Sequence, residues 1–439
     1  MSNDPPALRR DIGFVGSAFL SFNGIVGAGI FALPATLHLQ FGDFSPWLFP
    51  IFGLLILLVA LPFARLAAQH QGSGGPVAYA AAFGPLASFQ VGWIYYVART
   101  TALAANANVF ATYAATLWAP LGTPAGRAFL IVALIGLITW VNLVGVKRAI
   151  RALDALTLLK ATPLVALALW GLAVSAEGVP PPGPPPPLGA FEAAALVILY
   201  AFIGFENSVV PAGETANPRR NIPRALLTTV CLTALLYFLV QLGYAAAMPD
   251  GAQPDAPLVA FAEAMWGPIG GLLLVAAALS SIAGNLMGSM TSTPRITFAL
   301  ARQGLLPAWF GRVSTRWHTP SRSILFMGAL GILLALTGSF VWLAVVSTLA
   351  RLIVYSASIA ALPAAERAAG GRTGAGGALL MFAGIAVCLW AAFQSRFDSW
   401  AMLAGLLVLG LLLYAVARRA ASAGTVSSIQ PPPSTRSPS

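Results

Sequence analysis

Long apolar runs, broken by short clusters of Arg, Pro, Gly and Asp, follow one another along nearly the whole chain. Many exceed the roughly 18 consecutive apolar residues that mark a membrane-spanning helix, whereas strands of a closed β-barrel would alternate over short segments. The pattern predicts spans at 12–36, 46–68, 86–118, 127–146, 152–175, 190–212, 225–247, 265–300, 322–338, 341–362, 377–394 and 399–418. The expected fold class is therefore an all-α polytopic membrane protein with twelve transmembrane helices.

Composition sharpens that picture. Of 439 residues, 58% are hydrophobic and only 8% charged, against about a quarter charged in an ordinary soluble domain. The net charge of +11 could suggest a nucleic-acid partner, but the arginines are dispersed between apolar segments. With the N-terminus inside, the inner loops take nearly all the basic residues. Only Arg127 and Arg396 fall outside, while Arg99, Lys160 and Arg351 lie within spans. That bias predicts both termini in the cytoplasm, a cytoplasmic-membrane location and no nucleic-acid partner. The first apolar run is longer than a signal peptide's core, so no cleavable leader is expected.

Two spans carry an interruption at mid-membrane. The first reads Phe22-Asn-Gly-Ile-Val-Gly-Ala-Gly-Ile-Phe31, and the sixth reads Leu199-Tyr-Ala-Phe-Ile-Gly-Phe-Glu206, followed by Pro211 and Gly213. Glycine costs about 1 kcal/mol against alanine inside a helix, and Glu206 in hydrocarbon costs several more. Small residues also serve helix packing, so either break alone is weak evidence. Together they are more specific, because five crossings separate them and force opposite orientations. This is the sequence trace of two inverted five-helix repeats (spans 1–5 and 6–10) with discontinuous spans 1 and 6, plus two additional helices. The chain then divides into a cytoplasmic segment (1–11), a first repeat (12–175), a Pro-rich external loop (176–189), a second repeat (190–362), spans 11–12 (363–420) and a disordered cytoplasmic tail (421–439).

A half-helix starting at Gly27–Gly29 would direct bare N–H groups and a positive dipole end at a carboxylate. The sixth span would break with the opposite polarity and offer carbonyls to an ammonium. A small zwitterion, an amino acid, suits both.

At these positions the chain resembles the amino acid–polyamine–organocation (APC) superfamily of permeases. Gly27-Ala-Gly-Ile-Phe-Ala-Leu-Pro34 is similar to its first-span signature. Phe202-Ile-Gly-Phe-Glu206 with Glu214-Thr-Ala-Asn-Pro-Arg-Arg-Asn-Ile-Pro223 resembles its sixth-span block. Arg295-Ile-Thr-Phe-Ala-Leu-Ala-Arg-Gln-Gly-Leu-Leu-Pro307 with Thr319-Pro320, and Gly74-Gly-Pro-Val-Ala-Tyr79, complete the likeness over roughly residues 12–420. The resemblance implies that amides of Gly27, Ala28 and Gly29 hold the substrate carboxylate, and that carbonyls of Ile25, Tyr200 and Ile203 accept from its amine. Tyr200 would close over the substrate as a gate, and Ala98, Asn285 and Ser289 would face its side chain. Ser289 departs from relatives with a bulky aromatic at that position, which argues against a large cationic substrate without excluding one.

Lys160, one of two lysines, reads two ways. It could snorkel to the inner interface, or, as the resemblance implies, stand in for a coupling sodium. Burial without a carboxylate would lower its pKa and let it carry the proton. The same lysine occurs in relatives that exchange amino acids. Arg99 and Glu206 are a candidate intramembrane ion pair, and Arg351 reads either as an ionic gate or as a headgroup anchor.

The function expected is secondary active amino acid transport by alternating access, with proton-coupled import ahead of exchange or export on the same scaffold. An embedded enzyme would need an intramembrane nucleophile with its base or a His/Asp/Glu cluster, and an ATP-driven pump a phosphate-cradling loop; neither pattern is present. A channel would need a continuous polar lining. Cys231 and Cys388 lie in apolar segments and His38, His70 and His318 are scattered, so no metal or cofactor is expected. The partners expected are the amino acid, a proton and the lipid bilayer.

Overall fold

In a computed structural model the described residues are 10, 12–69, 75–145, 162–170, 173, 181–248, 251 and 254–427. Among them the regular structure is helical, apart from one isolated parallel bridge between Ile12 and Thr215. The helices that build the bundle are α1 (Phe14–Ile25), α2 (Gly29–Ala32), α3 (Pro34–Phe41), α4 (Leu48–Gln69), α5 (Pro85–Ala115), α6 (Pro124–Val144), α7 (Leu188–Tyr200), α8 (Pro218–Ala247), α9 (Pro257–Ser292), α10 (Pro294–Arg302), α11 (Ser321–Thr337), α12 (Phe340–Ala360), α13 (Ala375–Phe393) and α14 (Phe397–Ser427). Nine helical segments among the described residues are long and apolar enough to cross a membrane.

Proline sets many of the starts. Pro34, Pro85, Pro124, Pro218, Pro257 and Pro294 each open a helix, where the missing N–H is one of the orphans of the first turn anyway. This shifts boundaries from those the hydropathy predicts. α8 begins at Pro218 rather than 225, because its first turns carry Arg219, Arg220 and Arg224, which no hydropathy window includes. α9 bends at Gly267 (φ 66°), next to Pro268.

Position in the bundle explains composition. α5 is buried on every side from Val91 to Val109, and it carries Arg99, Asn106 and Asn108. It packs between α9 and α12, while α4 packs against α8 and α13. A helix with polar groups on it can sit there because its partners satisfy them. By contrast, Phe129, Ile269, Leu379 and Phe393 point outward with most of their surface uncovered. That outer apolar surface suits acyl chains, not water.

Both expected interruptions are present. α1 stops at Ile25, Val26 leaves the helical region (φ −77°, ψ 87°), and α2 resumes at Gly29. Leu33 keeps helical angles, so α2 runs on into α3. In the sixth segment α7 ends at Tyr200, and no second α-helical half follows. Turns and two 3₁₀ pieces, Phe205–Ser208 and Ala212–Glu214, carry the chain to α8. The predicted helix over 190–212 is thus α-helical only as far as Tyr200. Gly204 at φ 121° reverses the path there, a conformation that suits glycine.

Candidate functional site

The two breaks meet. A Cβ added at Gly24 would overlap the Gly204 carbonyl oxygen, and one at Gly204 would overlap the Gly24 backbone. Only two glycines let the chain paths come so close. Ser21 tightens the crossing by donating to the Phe205 carbonyl at 2.8 Å.

Beside this crossing lies a cavity of about 920 Å³. Its upper part is lined by Ile25, Gly27, Ala28 and Gly29 of the first segment, Tyr200 and Ile203 of the sixth, and Asn285 and Ser289 of α9. It continues past Arg99 and Arg351 toward Val77, Ser88, Glu214, Arg295 and Gln303, at the end of the bundle where α1 and α8 begin. Toward the opposite end Tyr200 packs edge-on against Phe340 with ring centroids 5.8 Å apart.

Backbone groups freed at the breaks are partly engaged. Ala28 N–H donates to Asn106 Oδ1 at 3.2 Å, and the Tyr200 hydroxyl donates to the same oxygen at 3.0 Å. Asn106 Nδ2 in turn donates to Asn285 Oδ1 at 2.8 Å, and Asn285 Nδ2 reaches the Asn23 carbonyl at 2.8 Å. Gly27 N–H closes a tight turn onto the Ile25 carbonyl, which also accepts from the Tyr237 hydroxyl at 3.4 Å. The Tyr200 carbonyl accepts from Ile203 N–H. The Gly29 N–H has no hydrogen-bond acceptor among the described residues. An amide with no acceptor, on the first residue of a helix that opens onto a cavity, is equipped to bind an anion.

Asn106 carries the connection between spans 1, 6 and 8, and the sequence reading missed it. A signal was available: Tyr95, Arg99, Ala102 and Asn106 fall at helical spacing, and all four line the cavity. Ala98, expected on the substrate side, is not among them. One residue is about 100° of helix rotation, and Ala98 turns toward α12, where its carbonyl accepts from Ser347 at 2.8 Å.

The expected Arg99–Glu206 ion pair is not made. Arg99 donates to Thr293 Oγ1 (2.7 Å), Ser292 Oγ (2.8 Å), Asn207 Oδ1 (2.7 Å) and the Tyr95 hydroxyl (3.0 Å). It touches Glu206 only through Tyr95, whose hydroxyl donates to Glu206 Oε1 at 3.3 Å. The cation beside Glu206 is Arg351, 3.8 Å from Oε1 and only 7% exposed, so Arg351 is no headgroup anchor. Glu206 Oε2 accepts from the Tyr355 hydroxyl (2.8 Å) and from Gly204 N–H (3.0 Å). Two hydroxyls, one amide and a nearby guanidinium thus offset the cost of a fully buried carboxylate. Lys160 lies outside the described residues. The described residues contain no group of His, Cys, Asp or Glu fit to hold a metal.

Residues 12–417 match the family described as amino acid permease. The chain belongs to that family. It is a multi-pass membrane protein and an amino acid transporter within the APC superfamily, and not an enzyme. Over 94% of its length the permease is 27% identical to an uncharacterized transporter of Mycobacterium tuberculosis, covering 92% of that protein. It is 28% identical over 73% of its length to the human large neutral amino acids transporter small subunit 2, of which it covers 63%. Among solved structures, MhsT in complex with L-phenylalanine aligns with a TM-score of 0.63 at 12% identity, over 89% of this chain and 100% of that one. That likeness supports the polytopic transporter fold.

Proposed function

We propose that this permease is a secondary active transporter of the cytoplasmic membrane that carries one amino acid per cycle by alternating access, with proton-coupled import as its mode. The reading takes twelve spans in two inverted repeats, both termini cytoplasmic, and a substrate at the paired breaks. The observation that carries it is the shared cavity between the break at Val26–Ala28 and the end of α7 at Tyr200.

The α-carboxylate would rest on Gly29 N–H at the start of α2–α3, with Gly27 and Ala28 alongside. For Ala28 this means displacing Asn106, and Asn106 can then turn its Nδ2 toward the substrate. The α-ammonium would donate to the Ile25, Tyr200 and Ile203 carbonyls; the Tyr200 carbonyl keeps a second lone pair for it beside Ile203 N–H, and at Ile25 it would replace the long contact from the Tyr237 hydroxyl at 3.4 Å. Asn285 and Ser289 would contact the side chain. Taken with an inside N-terminus, the cavity reaches the cytoplasm while Tyr200 and Phe340 close the outer side. That is the arrangement of a carrier ready to release cargo inward. Lys160 is the proposed proton carrier.

The test is counterflow and gradient-driven uptake in proteoliposomes holding the purified chain, after a thermal-shift screen of the twenty amino acids. Uptake driven by an inward proton gradient alone supports symport. Uptake that requires internal amino acid would replace symport with exchange. The absence of any amino acid flux would overturn the reading.

A further inference from the structure

The charges that the described residues place around the cavity do not balance. Among the described residues its wall carries Arg99, Arg295, Arg351 and one carboxylate, Glu214, with Glu206 buried behind it. Arg99 is only 6% exposed, and every hydrogen bond it donates goes to a neutral oxygen. Arg351 is less satisfied still. It donates no hydrogen bond among the described residues, its buried Nε has no partner, and its contact to Glu206 at 3.8 Å is longer than a hydrogen bond. The Glu206 oxygens are already held by Tyr95, Tyr355 and Gly204.

A guanidinium has five N–H donors in a planar fork. Leaving such a group in a protein interior without acceptors is costly, unless a ligand completes it. Arg351 lines the same cavity as Gly29 and Tyr200, so a ligand seated at the breaks shares that space with its guanidinium. A second cationic group, Arg99, faces the same space from α5, and among the described residues no carboxylate pairs with it. One guanidinium without a hydrogen-bond acceptor and a second without a carboxylate disfavour a lysine- or arginine-like side chain and favour an anionic one.

Resting on the permease reading, we propose that the substrate is an amino acid with an acidic side chain, its second carboxylate held by the Arg351 fork, with Arg99 adding positive potential. The α-carboxylate and α-ammonium remain on the backbone groups of the two breaks. The side-chain carboxylate supplies the hydrogen-bond acceptors that Glu206 does not.

The test is competition against labelled L-glutamate in proteoliposomes, comparing L-glutamate with L-glutamine and L-aspartate with L-asparagine. Each pair has nearly one shape and differs in charge. One charge-assisted contact predicts that the acids compete about 10- to 100-fold better than their amides. Arg351→Gln should abolish that preference, and Arg351→Lys should keep part of it. Because Arg351 also neighbours Glu206, thermal unfolding of each variant is measured in parallel, and the Glu206→Gln/Arg351→Gln double variant is tested as well. Should no variant fold, the wild-type ratios alone decide the substrate class. Glutamine competing as well as glutamate, or flux of neutral amino acids only, overturns this proposal and leaves the permease reading standing. An Arg351→Gln variant that folds and keeps the full acid preference overturns the role of Arg351. No amino acid flux of any kind overturns both.

Discussion

Gly24 and Gly204 face each other so closely that neither has room for a Cβ. This single contact makes the first and sixth segments one structural unit, because it locks the loop after α7 onto the end of α1. Gly204→Ala adds a clash with backbone and also forces a side chain into φ 121°. The expected loss is about 1–3 kcal/mol, read as a lower unfolding temperature in detergent together with loss of uptake. Gly24→Ala should act in the same direction without the φ penalty. Unfolding temperatures equal to wild type in both variants would mean that the segments do not touch this way.

Glu206 and Arg351 form the second prediction. Replacing Glu206 by Leu leaves a buried guanidinium without its anion and two tyrosine hydroxyls without an acceptor. Removing one partner of such a buried pair costs about 3–5 kcal/mol. Glu206→Gln should cost less, since its amide oxygen can still accept. In the double variant with Arg351→Gln the two losses should not add, with a coupling of about 1–3 kcal/mol in thermal or denaturant unfolding. Strict additivity would show that the pair does not interact.

Asn106 gives a third. Its Oδ1 holds both Ala28 N–H and the Tyr200 hydroxyl, and its Nδ2 holds Asn285. Asn106→Ala frees all three at once, each a buried polar group worth about 1–3 kcal/mol when orphaned. Because the freed groups border the substrate space, the effect should appear chiefly in binding, as a KM raised about tenfold or more. Asn108, two residues on and so about 200° around the helix from that wall, instead donates to the carbonyls of Ala335 and Gly338. Asn108→Ala should lower stability and leave KM near wild type. The reverse pattern in the two variants would remove Asn106 from the site.

Much of this is legible in the sequence. Gly27, Gly29 and Glu206 are anomalies within apolar runs, so the two breaks could be read from hydrophobicity and helix propensity alone. Pairing across the bundle could not. Arg99 and Arg351 are both intramembrane cations, and only the three-dimensional path decides that Arg351 reaches Glu206 while Arg99 stops at Tyr95. Ala98 differs for another reason: resemblance locates the right turn of helix, but a shift of one residue changes the face, and Ala98 does not line the cavity. Gly29 also has a second role that its motif conceals, since a Cβ there would meet Ala201 Cα at 2.9 Å. A larger residue at 29 would therefore push the two breaks apart as well as cover the amide.

Lys160 carries the proton-coupling proposal. If its amine releases and regains a proton during each cycle, uptake rises with an inward proton gradient and falls as that gradient is collapsed. Lys160→Ala should flatten the pH dependence of uptake while leaving counterflow measurable. A variant with the wild-type pH profile would exclude Lys160 from coupling.

The central claim is that bare backbone groups of two broken segments grip both ends of an amino acid. The most direct measurement is competition in counterflow by end-blocked analogues of whichever amino acid binds best, namely its N-acetyl derivative and its α-carboxamide. Loss of a charged terminus removes a charge-assisted bond, so each analogue should compete about 10- to 100-fold more weakly than the parent, and blocking both ends should abolish competition. An α-carboxamide or N-acetyl analogue that competes as well as the free amino acid would contradict the account.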